Sequence, residues 1–188
     1  MKKIFLIFIV CFCALTAQAQ TTHLKLKGVP IDGTRQEFIQ RMEAAGFTYI
    51  DSLRGVSTLQ GDFAGYKDCK IKVSTLDSKD LVSKVTAEIQ PSQNTWPDLY
   101  ATYKQLKSLL KEKYGNPTYC VEKFNDPAPE NDFIRELKIL FDAFNYTTKF
   151  TSKGGDIELK ISSDYFVAIT YTDKINSNII RKTAIDDL

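Results

Sequence analysis

The sequence predicts an α+β protein in which one helix followed by four strands occurs twice, with the helices packed on one face of an antiparallel sheet. Residues 34–46 and 95–115 both have the pattern of a capped amphipathic helix that ends at a glycine. Each is followed by four short segments in which apolar and polar residues alternate, as they do in strands. Because no long polar linker separates the two halves, the sequence predicts a single domain.

The first nineteen residues have the pattern of an export signal. Lys2 and Lys3 precede an apolar run from Ile4 to Leu15, and Ala17 to Ala19 form the small-x-small pattern of a signal peptidase site. Cleavage after Ala19 would leave one exported domain, residues 20–188. We therefore expect a periplasmic or extracellular protein that does not insert into a membrane once the signal is removed.

The charge balance argues against a nucleic-acid partner. The intact chain has 25 Lys and Arg against 23 Asp and Glu, but two of the lysines belong to the signal. The exported part therefore carries equal numbers of both signs. Binding to nucleic acid or to an anionic membrane needs a concentrated cationic surface, which this composition does not predict.

The first predicted repeat covers about residues 24–90. Thr34 is a candidate N-cap with Glu37 three residues later, and Phe38 and Met42 lie on one helical face before Gly46 ends the helix. The four strand-like segments that follow are residues 48–54, 57–63, 67–74 and 81–89.

The second predicted repeat covers about residues 94–173. Thr95 is a candidate N-cap with Asp98 three residues later, Pro97 lies in the first turn, and Gly115 and Pro117 end the helix. Its apolar stripe consists of Leu99, Tyr103, Leu106, Leu110 and Tyr114. The predicted strands are residues 118–124, 136–150, 155–163 and 165–173, with 125–132 as an exposed loop and 174–188 as a C-terminal segment.

This order of elements resembles the tandem helix-plus-four-strand architecture of the β-lactamase inhibitor protein. It also resembles uncharacterised secreted proteins of gut anaerobes that share the pieces G-x-P-I-D-G-T, here Gly28 to Thr34, and K-Y-G-x-P, here Lys113 to Pro117, and the ending Ala184 to Leu188. These motifs are caps and turns, so the resemblance implies a fold more than a function. No inhibitory residue is carried over, because no matching motif for one is present.

The cysteines predict one disulfide. Two of the four cysteines lie in the signal, which leaves Cys69 and Cys120 in an oxidising compartment. A bridge between them would stabilise the fold by roughly 4 kcal/mol. The alternative is two separate thiols in strand-like surroundings.

Catalytic and metal-binding patterns are sparse. The one histidine, His23, lies near the start of the exported chain, where termini usually fray, and one imidazole cannot make a zinc site that needs two. No P-loop or dinucleotide pattern appears, so we predict neither a metal nor a cofactor. The carboxylate pairs, Asp156 with Glu158 and Asp186 with Asp187, have the pattern of solvated charges.

The aromatic residues are the candidate binding site. If residues 136–150 form one long strand, then Leu140, Phe144 and Tyr146 lie on the face opposite the helices, and Phe166 joins them from the last strand. The alternative is that these side chains pack inside the molecule.

We predict a secreted, non-enzymatic binding module, of protein-protein interaction or inhibitor type, whose partner is a protein or glycan of the cell envelope. The alternative prediction is a small carboxylate-dependent hydrolase that acts on glycan or peptide.

Overall fold

The computed structural model describes residues 22–188 except 77, 78, 126, 128 and 187, so the predicted signal peptide lies outside the described residues. The helices of the described part are α1 (Arg35–Ala44), α2 (Trp96–Tyr114), α3 (Asp132–Leu140) and α4 (Lys174–Asp186). Its strands are β1 (Lys25–Leu26), β2 (Val29–Pro30), β3 (Thr48–Leu53), β4 (Val56–Phe63), β5 (Tyr66–Leu76), β6 (Lys79–Ile89), β7 (Tyr119–Phe124), β8 (Phe144–Ser152), β9 (Gly155–Ile161) and β10 (Val167–Asp173).

Eight strands form one antiparallel sheet in the order β3-β4-β5-β6-β10-β9-β8-β7, and β1 and β2 form a separate hairpin. The α+β fold class is therefore confirmed. The meander β3 to β6 follows α1, and the strands β7 to β10 follow α2, with α3 inserted between β7 and β8. The two sets of strands meet where β6 pairs with β10. A common origin of the two halves stays a prediction.

The sheet has one apolar face and one polar face. The strand register places six buried side chains in one row across the apolar face: Leu59, Ile71, Ala87, Ile169, Leu159 and Thr148. The neighbouring row on the other face consists of Gln60, Lys70, Glu88, Ala168, Lys160 and Thr147. Because side chains alternate along a strand, the two rows lie on opposite faces, and the second row forms an open, largely polar face.

Helix α1 begins with the predicted capping box. The Thr34 hydroxyl accepts a hydrogen bond from the Glu37 backbone N–H at 3.3 Å, and the Glu37 carboxylate accepts one from the Thr34 N–H at 2.8 Å. These bonds to Thr34 hold the pKa of Glu37 below its ordinary value. Phe38 and Met42 are fully buried, so the predicted apolar stripe of this helix is confirmed.

Helix α2 contacts β8, β9 and β10 through the predicted stripe. Leu99, Tyr103, Leu106 and Leu110 are buried, and Gly115 ends the helix with a positive φ of 85°. Thr95 is the N-cap residue of α2, as predicted, but its side chain makes no capping hydrogen bond. Asp98, the expected partner of Thr95, instead accepts a hydrogen bond from Ser92.

Residues 136–150 do not form one long strand. The segment ends helix α3, turns at Asp142, which has a positive φ of 51°, and then enters β8. Asn131 starts α3 by accepting a hydrogen bond from the Ile134 N–H at 3.0 Å. The apolar residues of segment 136–150 fit a helical period as well as a strand period, and a short segment does not distinguish the two.

The predicted disulfide is wrong, since Cys69 and Cys120 are both free. Cys69 lies on β5 and Cys120 on β7, five strand steps apart in the sheet. Five steps of about 4.8 Å separate the two strands by roughly 24 Å, well beyond the reach of a disulfide. Burial raises the pKa of the Cys69 thiol, whereas Cys120 is exposed.

Helix α4 forms most of the C-terminal segment and contacts β6, β9 and β10. Asp173, the last residue of β10, is fully buried and accepts a hydrogen bond from the Asn176 N–H at 2.9 Å. The Asn176 side chain donates to the carbonyl oxygens of Ile31 and Val82. The C-terminal helix is therefore tied both to the sheet and to the segment before α1. None of the described helices is long and apolar enough to cross a membrane.

Candidate functional site

Two of the predicted binding residues, Phe144 and Tyr146, belong to the core. Only 7% of Phe144 and 8% of Tyr146 are exposed. Both share a face of β8 with Thr148, whose hydroxyl lies 2.6 Å from the Tyr103 hydroxyl of α2. They therefore face the helix and not the open side of the sheet. This corrects the prediction of an outer aromatic surface, which depended on one long strand.

An aromatic cluster surrounds Tyr146 beneath the first turns of α2. Its ring centroid lies 5.1 Å from that of Trp96, 5.4 Å from that of Phe124 and 5.8 Å from that of Tyr100, each in an edge-to-face arrangement. Burial raises the pKa of Tyr146, so its hydroxyl stays protonated at neutral pH. This cluster attaches the edge strand β7 and the start of α2 to β8, which is a structural role.

The other two predicted binding residues lie in separate places. Phe166 is half-buried at the turn into β10, where its carbonyl oxygen accepts a hydrogen bond from the Ser162 N–H at 2.9 Å. Leu140 is 64% exposed near the end of α3. The four residues therefore do not form one surface, and of the four only Leu140 is largely exposed.

Leu140 is part of an exposed apolar surface that we call the α3 patch. It consists of Phe133, Leu137, Leu140 and Phe141, which are 66%, 36%, 64% and 75% exposed. These residues follow the spacing i, i+4, i+7 and i+8, which places them along one side of a helix. The same spacing is visible in the sequence, and the interpretation of this segment as a strand concealed it.

Helix α3 holds the patch in place through its opposite side. Ile139 is fully buried, and the Tyr165 hydroxyl donates a hydrogen bond to the Glu136 carbonyl oxygen at 3.3 Å. The Trp96 N–H donates to the Glu136 carboxylate at 3.5 Å, and the Lys138 ammonium donates to the Asn125 carbonyl oxygen. These contacts position the helix and leave its apolar side exposed.

The surroundings of the α3 patch are acidic. Besides Glu136, which is engaged on the other side of the helix, Glu130, Asp132 and Asp142 lie on or beside it, against Arg135 and Lys138 as the cations. The Arg135 guanidinium lies 2.5 Å from the Asp132 carboxylate. The Lys138 ammonium donates to a backbone carbonyl, as described above. The rim therefore carries more negative than positive charge.

The carboxylates Asp156 and Glu158 lie on the open face of the sheet. Glu158 lies 2.8 Å from the Lys149 ammonium, and Asp156 accepts a hydrogen bond from the Thr151 hydroxyl at 2.9 Å. The bond to Glu158 raises the pKa of Lys149. Both acids are solvent-accessible and engaged by neighbouring side chains, as predicted for solvated charges. Of the predicted Asp186 and Asp187 pair, Asp186 is exposed and residue 187 lies outside the described residues.

Cys120 lies on β7, close to the charged side chains of Lys107 on α2 and Glu122 on β7. The Lys107 ammonium is 3.1 Å from the Cys120 sulfur and 2.5 Å from the Glu122 carboxylate. Burial alone would lower the pKa of Lys107, but its hydrogen bonds to Glu122 and Cys120 raise it. Across the described residues, no group of three or more His, Cys, Asp or Glu side chains is arranged to hold a metal ion.

A scan of family models, a search of curated proteins and a search of solved structures each found no match to this chain. The resemblance to the β-lactamase inhibitor protein and to secreted proteins of gut anaerobes therefore rests on the motifs quoted above. It stays a prediction.

Proposed function

We propose that this protein is a non-enzymatic protein-binding module that docks its partner on the α3 patch. The observation that carries this proposal is the row of four large apolar side chains, each at least 36% exposed, along one side of a helix that is fixed on its other side. Exposed apolar patches with polar rims are typical of interaction sites. Anchors at i, i+4 and i+7 are typical of a helix that inserts into a partner's groove.

The partner that fits this surface is a protein with an apolar groove and a basic rim. Large side chains such as Phe133 and Phe141 supply the buried centre of such an interface, where most binding energy is concentrated. The acidic residues around them favour lysines and arginines on the partner and would be repelled by an anionic membrane surface. The predicted export signal supports a partner in the cell envelope or outside the cell.

The carboxylate-dependent hydrolase remains the alternative. Asp156 and Glu158 are engaged by Thr151 and Lys149 on an open sheet face, an arrangement that favours solvated charge over acid-base catalysis. The resemblance to an inhibitor fold supports a protein-binding role, although fold alone does not define function.

The test is quantitative affinity capture from the cell envelope with the Phe133→Ser/Leu140→Ser double variant. A matched control is Leu53→Ser, since Leu53 is 69% exposed on β3, far along the sheet from β7 and β8. We expect the wild type and the control to recover the same partner, and the double variant to lose it by at least about tenfold while folding normally. Unchanged recovery by the double variant, or no partner at all with the wild type, would refute the proposal.

A further inference from the structure

A second candidate site is a groove between α2 and the β1–β2 hairpin. It has a volume of about 270 Å³ and lies above β10, the strand through which the two halves of the sheet meet. Its apolar walls and floor include Leu106, Leu109 and Leu110 of α2 and Ile169 and Tyr171 of β10. The groove contains no residue of the α3 patch.

The groove has an apolar interior and an open mouth. Leu106 and Ile169 are almost fully buried core residues, while Leu109 is 44% exposed at the mouth. Tyr171 lies on the floor and is also buried. A ligand in the groove would therefore have an apolar body.

The mouth of the groove is cationic. Lys25, Lys27 and Lys113 line it, and Asp62 is the one carboxylate among its lining residues. Asp62 lies 2.5 Å from the Lys67 ammonium, so a lysine outside the groove already balances its charge. The hydrogen bond from Lys67 also lowers the pKa of Asp62 and keeps it ionised. Three lysines therefore line a largely apolar groove, in a chain whose predicted exported part is balanced in charge.

The position of Lys27 is held by two contacts. Its ammonium donates a hydrogen bond to the Asp62 carbonyl oxygen at 3.1 Å and lies 4.8 Å from the centre of the Phe47 ring. Lys113 similarly lies 5.1 Å from the centre of the Tyr114 ring. The hydrogen bond holds the Lys27 ammonium beside Asp62, which lines the groove, and neither aromatic contact neutralises the positive charge.

We propose that this groove binds a free fatty acid, with the acyl chain against Leu106, Leu109 and Ile169 and the carboxylate among the three lysines. The volume lies below the roughly 300–1,000 Å³ of pockets for drug-sized ligands, so it suits one acyl chain and not a sterol or a two-chain lipid. Each added methylene that enters the groove tightens binding by about fourfold, the equivalent of about 0.8 kcal/mol. The gain stops when the groove is full.

The experiment is calorimetric titration of the purified protein with octanoate, decanoate and dodecanoate below their aggregation limits, and with dodecanol as the uncharged probe. We expect one site per chain, affinity that rises with chain length, and binding of dodecanoate at least about tenfold tighter than that of dodecanol. Absence of dodecanoate binding, or equal affinity for dodecanol, would overturn the proposal.

Variants locate the site. Lys113→Glu reverses a charge at the mouth, and Leu109→Asp places a carboxylate against the acyl chain at an exposed position. Each should weaken dodecanoate binding at least about tenfold without loss of folding. The matched control is Lys111→Glu, which makes the same charge change on the exposed side of α2 away from the groove. Equal weakening by the control, or no weakening by either groove variant, would show that the groove is not the site.

A vesicle assay distinguishes a free fatty acid from a lipid surface. The protein is sedimented with phosphatidylglycerol vesicles, and no co-sedimentation is expected because the groove accepts a single chain. Co-sedimentation that Lys113→Glu abolishes would contradict the fatty-acid proposal in favour of a membrane surface.

Discussion

The Nδ1 atom of His23 lies 3.1 Å from Oδ1 of the buried Asp173, so the start of the described chain meets the end of β10 at one carboxylate. The same carboxylate accepts hydrogen bonds from the backbone N–H groups of Leu24 and Asn176, each at 2.9 Å. The second of these bonds caps the first turn of α4. Asp173 therefore joins the N-terminal segment, the end of β10 and the C-terminal helix.

Asp173→Ala should lower the free energy of unfolding by about 3 kcal/mol, because it leaves two buried N–H groups without an acceptor and removes the partner of His23. Asp173→Asn keeps one acceptor oxygen and should cost less. Chemical denaturation measures both, with the exposed Asp164→Ala as a control that changes stability by less than about 0.5 kcal/mol. A loss for Asp173→Ala as small as that of the control would contradict this assignment.

Phe144→Ala should lower the free energy of unfolding by about 3–5 kcal/mol, since it opens a cavity in the aromatic cluster beneath α2. Leu140→Ala, on the exposed side of α3, should change it by less than about 0.5 kcal/mol. Thermal and denaturant melting of the two variants separate the core from the α3 patch. Equal effects of the two substitutions would mean that Phe144 and Leu140 share one environment.

Tyr103→Phe removes the hydroxyl that lies 2.6 Å from the Thr148 hydroxyl in the buried interface between α2 and β8. Because Thr148 is fully buried, the expected loss of stability is about 1–3 kcal/mol. The matched control is Tyr119→Phe on the exposed strand β7, which should be nearly neutral. If the two variants unfold at the same denaturant concentration, the hydrogen bond contributes nothing.

Cys69 and Cys120 should differ in reactivity. Under native conditions Cys120 is expected to react with a thiol reagent at once, while Cys69 reacts only on unfolding, because it is buried and its thiol pKa is raised. Mass measurement of the unreduced, alkylated protein counts the labels. An unlabelled protein whose mass is lower by two hydrogens would show that the disulfide forms, and would contradict the strand order.

The capping box of α1 predicts a pH dependence. The pKa of Glu37 is lowered in the folded protein from its ordinary value of 4.5, so its contribution is complete above pH 4.5 and is lost as the pH falls through the folded pKa. Stability of the wild type relative to Glu37→Gln should therefore be constant at higher pH and should decline below about pH 4.5. Glu112→Gln on the exposed side of α2 is the control. A pH-independent difference for Glu37→Gln would contradict the assigned hydrogen bonds.

Local patterns in the sequence were enough to predict much of the fold. The capping box at Thr34, the apolar stripe of α2 and the glycine stop at Gly115 each depend on residues within one or two turns of the chain. Seven of the eight predicted strand segments correspond to strands of the large sheet, because their alternation spans enough residues to distinguish it from a helical period.

The segment 136–150 shows where local patterns were ambiguous. Its apolar residues satisfied both periods, so the sequence did not reveal that Leu140 lies on a helix and Phe144 on a strand. Since side chains on a strand alternate between its two faces, reading the whole segment as one strand wrongly predicted that Phe144 and Tyr146 lie on the face opposite the helices. A candidate site on the α3 patch became visible once the helix was known.

The sequence by itself determined the α+β class, the boundaries of most elements and the balance of charge, because these depend on the order of residues along the chain. Only the tertiary structure decided that four strands separate Cys69 from Cys120 and that the Asp173 carboxylate contacts His23. It also decided that three lysines line one groove. These relationships join residues far apart in the chain. Strand order and side-chain packing determine such distances, and no local pattern encodes them.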